Sequence, residues 1–364
     1  MRKVFFFYYH KDKYYSSSPI INNFKILHKW QEKFIEKGIE MTSMLEYLPQ
    51  YKDKNFKEES LYPIPKEQVN EELIIAMQNI VAILPEITIK YERILFLAFH
   101  PTPFQPFIRY NKELKKYSNV RTILWQDDLH AYFENGDKKA KLDYADHIMT
   151  PSPVYFENLY PEYLAKTSFF FYSADFEENE QFSKKWENRF DKIILSGCIN
   201  NSYHIRANIA NEMVKNKKFG KICDFVKKPK MKEYNYKDDV VLPYGINYYK
   251  ILGKFKGAFF GYYEYPKNFN LAKIIEILSM GCIGFFEYSP LLEKELGLIA
   301  MEHYVPCTNK ENGKLITDVE YYKYYLENKD GKGEIIAQNG KEYVRKNFSN
   351  QKGFENYVRI LNNI

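Results

Sequence analysis

Three groups of residues in this 364-residue chain have the types and spacing for chemistry. In residues 263–289, Leu271, Ile274, Ile275 and Leu278 repeat at the spacing of a helix face, and Ile277 widens that face until little of the helix can meet water. Glu276 interrupts this apolar run with Lys273 three residues before it. A carboxylate there is expensive unless something pairs with it, either Lys273 alone or a ligand. In the second group, Gly197 ends an apolar strand at 191–197 and Arg206 follows on the next predicted helix, after Tyr203. A small residue in such a turn lets a diphosphate approach backbone N–H groups, and the arginine can neutralise it; the competing role is a surface arginine after an ordinary turn. The third group is Asp127, Asp128 and His130, directly after a predicted strand at 120–125. Two carboxylates and an imidazole within four residues suit proton transfer, and they suit a turn equally, since Asp is favoured in turns and at helix starts.

The elements that must position these groups alternate. Strands are predicted at 4–9, 94–99, 120–125, 168–172, 191–197, 257–262 and 282–286. Helices are predicted around Phe24, Leu27, Trp30 and Phe34, ending at Gly38; around Val69, Leu73, Met77, Ile80 and Leu84, ending at Pro85; and at 106–116 and 248–254. This is the order of an α/β fold, in which ligands sit beyond the carboxyl ends of the strands. His100, after the 94–99 strand, falls at that edge as well. The chain is long enough for two domains, with residues 177–189 as the linker between them.

Composition excludes some classes. The formal charge is +6, from 53 basic and 47 acidic residues. That is short of a nucleic-acid footprint and compatible with phosphorylated ligands. Cys198, Cys223, Cys282 and Cys307 are widely spaced, which reads as reduced core thiols in a cytosolic protein rather than disulfides or zinc ligands. Residues 4–9 are too short for a signal segment, and no apolar run approaches a membrane span, so any membrane contact is expected to be peripheral.

The pattern Lys273, Glu276, Ser279, Gly281 resembles the nucleotide-sugar-binding helix of group-1 GT-B glycosyltransferases, in which the Glu holds the ribose hydroxyls. Further on, Glu302-His303-Tyr304-Val305-Pro306, a Tyr-rich helix through Leu326, and Ile335 to Gly340 are similar to the closing section of spore-maturation-protein-like glycosyltransferases and of protein O-glucosyltransferases. Tyr203-His204-Ile205-Arg206 resembles the Tyr-Pro-x-Arg opening of their donor domain, with His204 in place of the Pro. Ala145-Asp146 before a short strand and Ser152 resembles another GT-B element.

The resemblance implies two Rossmann-like doubly wound domains with a cleft between them: an acceptor-binding domain at 1–180, a nucleotide-sugar domain at 190–340, and a C-terminal helix at 341–364 crossing back onto the first. It implies transfer of a sugar from a UDP- or GDP-sugar to a hydroxyl of a glycan, lipid or protein, with no cofactor beyond that co-substrate and no metal. Gly197, Tyr203, Arg206, Lys273, Glu276 and His303 would contact the sugar nucleotide, although His303 suits simple packing beside Tyr304 and Val305 as well. Asp128, then His130 and Asp127, would take the acceptor proton. Many retaining group-1 enzymes carry a second glutamate eight residues before the first; Asn268 stands there here, and the similarity to O-glucosyltransferases points to inversion. A GT-B-shaped epimerase, a DNA glucosyltransferase and a non-catalytic nucleotide-sugar binder are the rival readings.

Overall fold

The computed structural model describes residues 1–7, 26–27, 30–48, 66–99, 105–126, 141–195, 197, 199, 203–225, 246–262 and 272–364. These residues form two compact units. The first takes in the described residues up to Phe171 together with Gly353–Ile364, and the second is Tyr172–Lys352.

In the first unit, β1 (Arg2–Phe7), β2 (Ile39–Ser43), β3 (Arg93–Phe99), β4 (Val120–Trp125), β5 (His147–Thr150) and β6 (Thr167–Phe169) lie in the order β2-β1-β3-β4-β5-β6. In the second, β7 (Phe190–Leu195), β8 (Cys223–Phe225), β9 (Phe255–Phe260), β10 (Ile283–Phe286) and β11 (Val305–Pro306) lie in the order β11-β10-β9-β7-β8. Every pairing is parallel. Counted within its own unit, each sheet begins 2-1-3-4-5, so strand order reverses between β1 and β3 and again between β7 and β9. Those are the points at which doubly wound sheets take ligands.

The strands are apolar because both faces are covered: every residue of β9 and β10 is buried. Glycines inside them make room for rings. A Cβ on Gly257 would lie 2.6 Å from the Phe285 ring. Around that ring, Phe259 and Tyr322 meet it with centroids 5.8 and 5.2 Å away, and the Tyr322 hydroxyl donates to the Ile316 carbonyl at 2.7 Å, so the buried phenol is satisfied. In the first unit Phe5 of β1 stacks on Phe96 of β3 at 5.1 Å. Its last helix, Asn350–Asn363, presents Phe354 to Phe34 at 4.7 Å and Tyr357 to Trp125 at 5.9 Å. Asp146 ties β4 to β5, its carboxylate accepting from the Thr122 N–H at 2.9 Å and the Thr122 hydroxyl at 3.1 Å.

Several expectations are corrected. The helix expected to stop at Pro85 runs Lys66–Lys90 with Pro85 inside it. Proline removes one backbone donor, but Pro85 is on the exposed side, and the Asn119 amide caps the last turn by donating to the Thr88 and Tyr91 carbonyls at 3.1 and 3.0 Å. Part of that helix, Glu71–Lys90, is also long and apolar enough, by length and composition, to cross a membrane, against the reading that no run approaches that length. Leu73, Met77, Ile80 and Leu84, at alternating four- and three-residue steps, are buried in the first unit as a core-facing stripe. The helix expected at 106–116 is two, Gln105–Arg109 and Asn111–Leu114. The final amphipathic stretch is also two, Lys332–Phe348 and Asn350–Asn363, parted at Ser349. Residues 177–189, read as a linker, pack inside the second unit: the Arg189 guanidinium donates to the Met280 and Gly281 carbonyls at 2.9 and 2.6 Å. Cys223, Cys282 and Cys307 are buried free thiols, as the sequence suggests, and Cys198 lies outside the described residues.

His147, half-buried on β5 with Nε2 2.8 Å from the Ser168 hydroxyl, gives the fold an acid sensitivity. Burial, reinforced by the charge of Lys166, lowers its pKa from an ordinary 6.5 to about 4. The unfolded chain therefore binds this proton more readily, and the stabilisation, complete above about pH 6.5, drains away as pH falls toward about 4. His147→Gln should lose less stability than the wild type between pH 7 and 5 in urea unfolding; equal losses would refute the assignment.

Candidate functional site

The carboxyl edge of β7 and β9 gathers part of the expected site. Gly197, just past β7, has φ +94°, a conformation that L side chains rarely adopt. The space is closed as well: a Cβ there would lie 2.5 Å from Nη1 of Arg206. Arg206 is in the first turn of the His204–Lys215 helix and is 3% exposed. Its Nε donates to the Gly261 carbonyl, one residue past β9, at 2.9 Å. The guanidinium sits over the Tyr203 ring at 3.9 Å and 5.2 Å from the Phe260 ring. Burying a guanidinium is costly unless hydrogen bonds and ring faces replace its water. Tyr203, at the start of the helix after β7, and Phe260 and Gly261, at the end of β9, supply these replacements.

A second pair lies on the Ala272–Ser279 helix. Ile274, Ile275, Ile277 and Leu278 are buried, and so is Glu276, at 3% exposure. Its Oε2 accepts from the Lys273 ammonium at 2.9 Å, and the ammonium lies 4.0 Å over the Tyr248 ring. Burial pushes the Lys273 pKa down, but the charge of Glu276 and the neighbouring Tyr248 outweigh it, and the pKa ends above its usual value. The Arg206 charge also acts on Lys273, lowering its pKa, so the two cations feel one another. Ser279 and Gly281 finish the helix. The Ser279 hydroxyl donates to the Glu276 carbonyl at 2.9 Å and accepts from the Asn179 amide at 3.0 Å, while Gly281 takes the left-handed turn at φ +66°.

His303 is placed differently. It precedes β11, at the opposite end from the carboxyl edge. Its Nδ1 accepts from the Ile299 N–H at 3.0 Å, which leaves the ring proton on Nε2, and its ring lies 4.4 Å from Tyr343. Burial lowers its pKa, opposed by Glu302. Asp127, Asp128, His130 and His100, with Asn268, lie outside the described residues. Among the described residues no three His, Cys, Asp or Glu side chains converge.

Sequence reasoning missed three contributors. Gly261 offers only a carbonyl, which leaves no mark in a side-chain pattern. Tyr248 reaches Lys273 from another helix. Glu287, directly after β10 and buried, accepts from the Tyr262 N–H at 2.8 Å and so ties β10 to the chain leaving β9. An acid closing the apolar run Ile283 to Phe286 was the available signal for it.

No family model matches the chain, and no curated protein matches it in sequence. Solved structures do match in fold. Sucrose-phosphate synthase from Thermosynechococcus elongatus superposes with a TM-score of 0.61 at 11% identity, over 100% of this chain and 99% of that one. Anabaena HepE in complex with UDP-glucose gives 0.59 at 10% identity, over 100% of both chains. An α-glucosyltransferase in complex with UDP gives 0.56 at 12% identity, again over 100% of both. At such identities the likeness is one of fold, and that fold, two parallel-sheet α/β domains, is GT-B.

Proposed function

We propose that the protein is a glycosyltransferase moving a sugar from a UDP- or GDP-sugar to a hydroxyl of a glycan, lipid or protein. The observation that carries this reading is the buried guanidinium of Arg206 at the point where the second sheet reverses strand order, facing a glycine turn that only Gly197 fits. A leaving diphosphate gains negative charge as the C1–O bond breaks, and Arg206, with Lys273 within its electrostatic reach, offsets that charge where solvent screens little. The Gly197 turn lets phosphate oxygens approach backbone N–H groups. Glu276 uses Oε2 on Lys273, and among the described residues Oε1 has no partner, so it can accept from ribose hydroxyls. HepE and the α-glucosyltransferase, which share the fold, hold UDP-glucose and UDP respectively.

For the acceptor we keep the residues that follow β4. Asp128 removes the proton as the acceptor oxygen attacks C1, with His130 and then Asp127 as the next choices and His100 after them. Two carboxylates adjacent in sequence can raise one another's pKa, the direction a base working near neutrality needs. The step inverts C1 and uses no metal. Buried free Cys223, Cys282 and Cys307 fit a reducing, cytosolic compartment. A second reading, an acceptor hydroxyl on DNA, draws on the likeness to an α-glucosyltransferase in complex with UDP-glucose and DNA, TM-score 0.56. It requires binding that weakens steeply with salt.

A melting-temperature screen against UDP- and GDP-sugars without added metal reads the donor directly. In calorimetry with UDP, Arg206→Ala should lose about 1.5–3 kcal/mol, the scale of hydrogen bonds to a charged group. Gly197→Ala should weaken UDP by displacing the same guanidinium, and Glu276→Ala should weaken UDP-glucose similarly. Variants that bind like the wild type remove these residues from the site.

Asp128→Asn should keep UDP-glucose affinity and melting temperature while cutting transfer by on the order of 10²-fold. Normal turnover in Asp127, Asp128 and His130 variants alike would move the base elsewhere, and unfolding of these variants would make them turn formers.

A further inference from the structure

Beside the carboxyl end of β10, between the segments that precede and follow β11, is a small cavity whose polar lining comes from Tyr288, Ser289, Glu293, Tyr304 and Lys310. The loops that form it are fixed. The Tyr288 N–H donates to the Thr308 hydroxyl at 2.9 Å, and the Ser289 hydroxyl accepts from the Leu291 N–H at 3.2 Å. Tyr304 is 1% exposed, and its ring stacks on Phe286 with centroids 5.4 Å apart. Among the described residues, neither phenol, nor the Glu293 carboxylate, nor the Lys310 ammonium has a hydrogen-bond or ion-pair partner. Lys310 only lies over the Tyr288 ring, at 4.9 Å. The Tyr304 ring is buried while its hydroxyl opens onto the cavity, where a ligand or water completes its hydrogen bonds.

The lining selects a ligand by elimination. Glu293 and Lys310, both exposed, offer one acceptor and one donor with no net charge, and a wholly apolar guest would strand both phenols. A neutral molecule bearing many hydroxyls satisfies all of them, because each hydroxyl can donate to Glu293 and accept from Lys310 or a phenol, with the ring of Tyr288 to lie against. We propose that this cavity is a carbohydrate site, separate from the Gly197, Arg206 and Gly261 groups at β7 and β9.

Saturation-transfer NMR of the full chain with glucose, N-acetylglucosamine and maltotetraose tests this, with excess UDP present to fill the site at β7 and β9. Transfer to at least one sugar should persist under UDP. Tyr304→Phe, which removes only the hydroxyl, and Lys310→Ala, at an exposed position, should each weaken that sugar about tenfold and leave UDP affinity unchanged. Tighter binding of maltotetraose than of glucose identifies a glycan chain as the guest, and equal binding a free sugar. No transfer to any of the three, transfer abolished by UDP, or transfer unchanged in both variants would overturn the proposal.

Discussion

A buried guanidinium must be held from several sides at once, and in this protein that requirement governs the carboxyl edge of the second sheet. Arg206 reaches across from the helix after β7 to the carbonyl just beyond β9, lies on the Tyr203 ring, and fills the space in front of Gly197. Each partner fixes something else. Gly197 suits its left-handed backbone angle, and a Cβ there would push the Arg206 guanidinium aside, while β9 ends where the Gly261 carbonyl can accept from it. A cation so placed is preorganised: its orientation costs nothing further when an anion arrives.

The Ala272–Ser279 helix is the second half of the same arrangement. Its apolar faces force it into the unit, and burial makes Glu276 and Lys273 depend on each other. Its C-terminal end is closed by Arg189 through backbone carbonyls, so a stretch far off in sequence sets the position of the two charged side chains. Both units repeat one strand order, and in both the apolar strands are packed with aromatic rings, accommodated in the second unit by glycines within the strands.

Much of this was legible in the sequence. Apolar runs bounded by polar turns marked most strands, since strands covered on both faces carry little else, and the three-residue spacing of Lys273 and Glu276 put them on one face. What failed has physical causes. Ile39–Ser43 is an edge strand whose Glu40, Thr42 and Ser43 dilute its pattern, and β8 and β11 are too short for any periodicity. Pro85 reads as a stop because local rules cannot see the Asn119 cap supplied by another part of the chain. The Gly261 carbonyl and the Arg189 clamp are long-range backbone contacts and carry no local signature. His303 stands in a motif-like run, and there its Nδ1 accepts from the Ile299 N–H while Nε2 carries the ring proton.

We propose that the second unit holds a nucleotide sugar where β7 and β9 end. Hydrogen–deuterium exchange of the full chain with and without UDP-glucose tests it most directly. The account predicts slowed exchange in the 197–206 turn and helix start and in the 261–281 segment, with the amide of Gly197 among those most affected. Protection confined to the first unit, or none at saturating UDP-glucose, would contradict it.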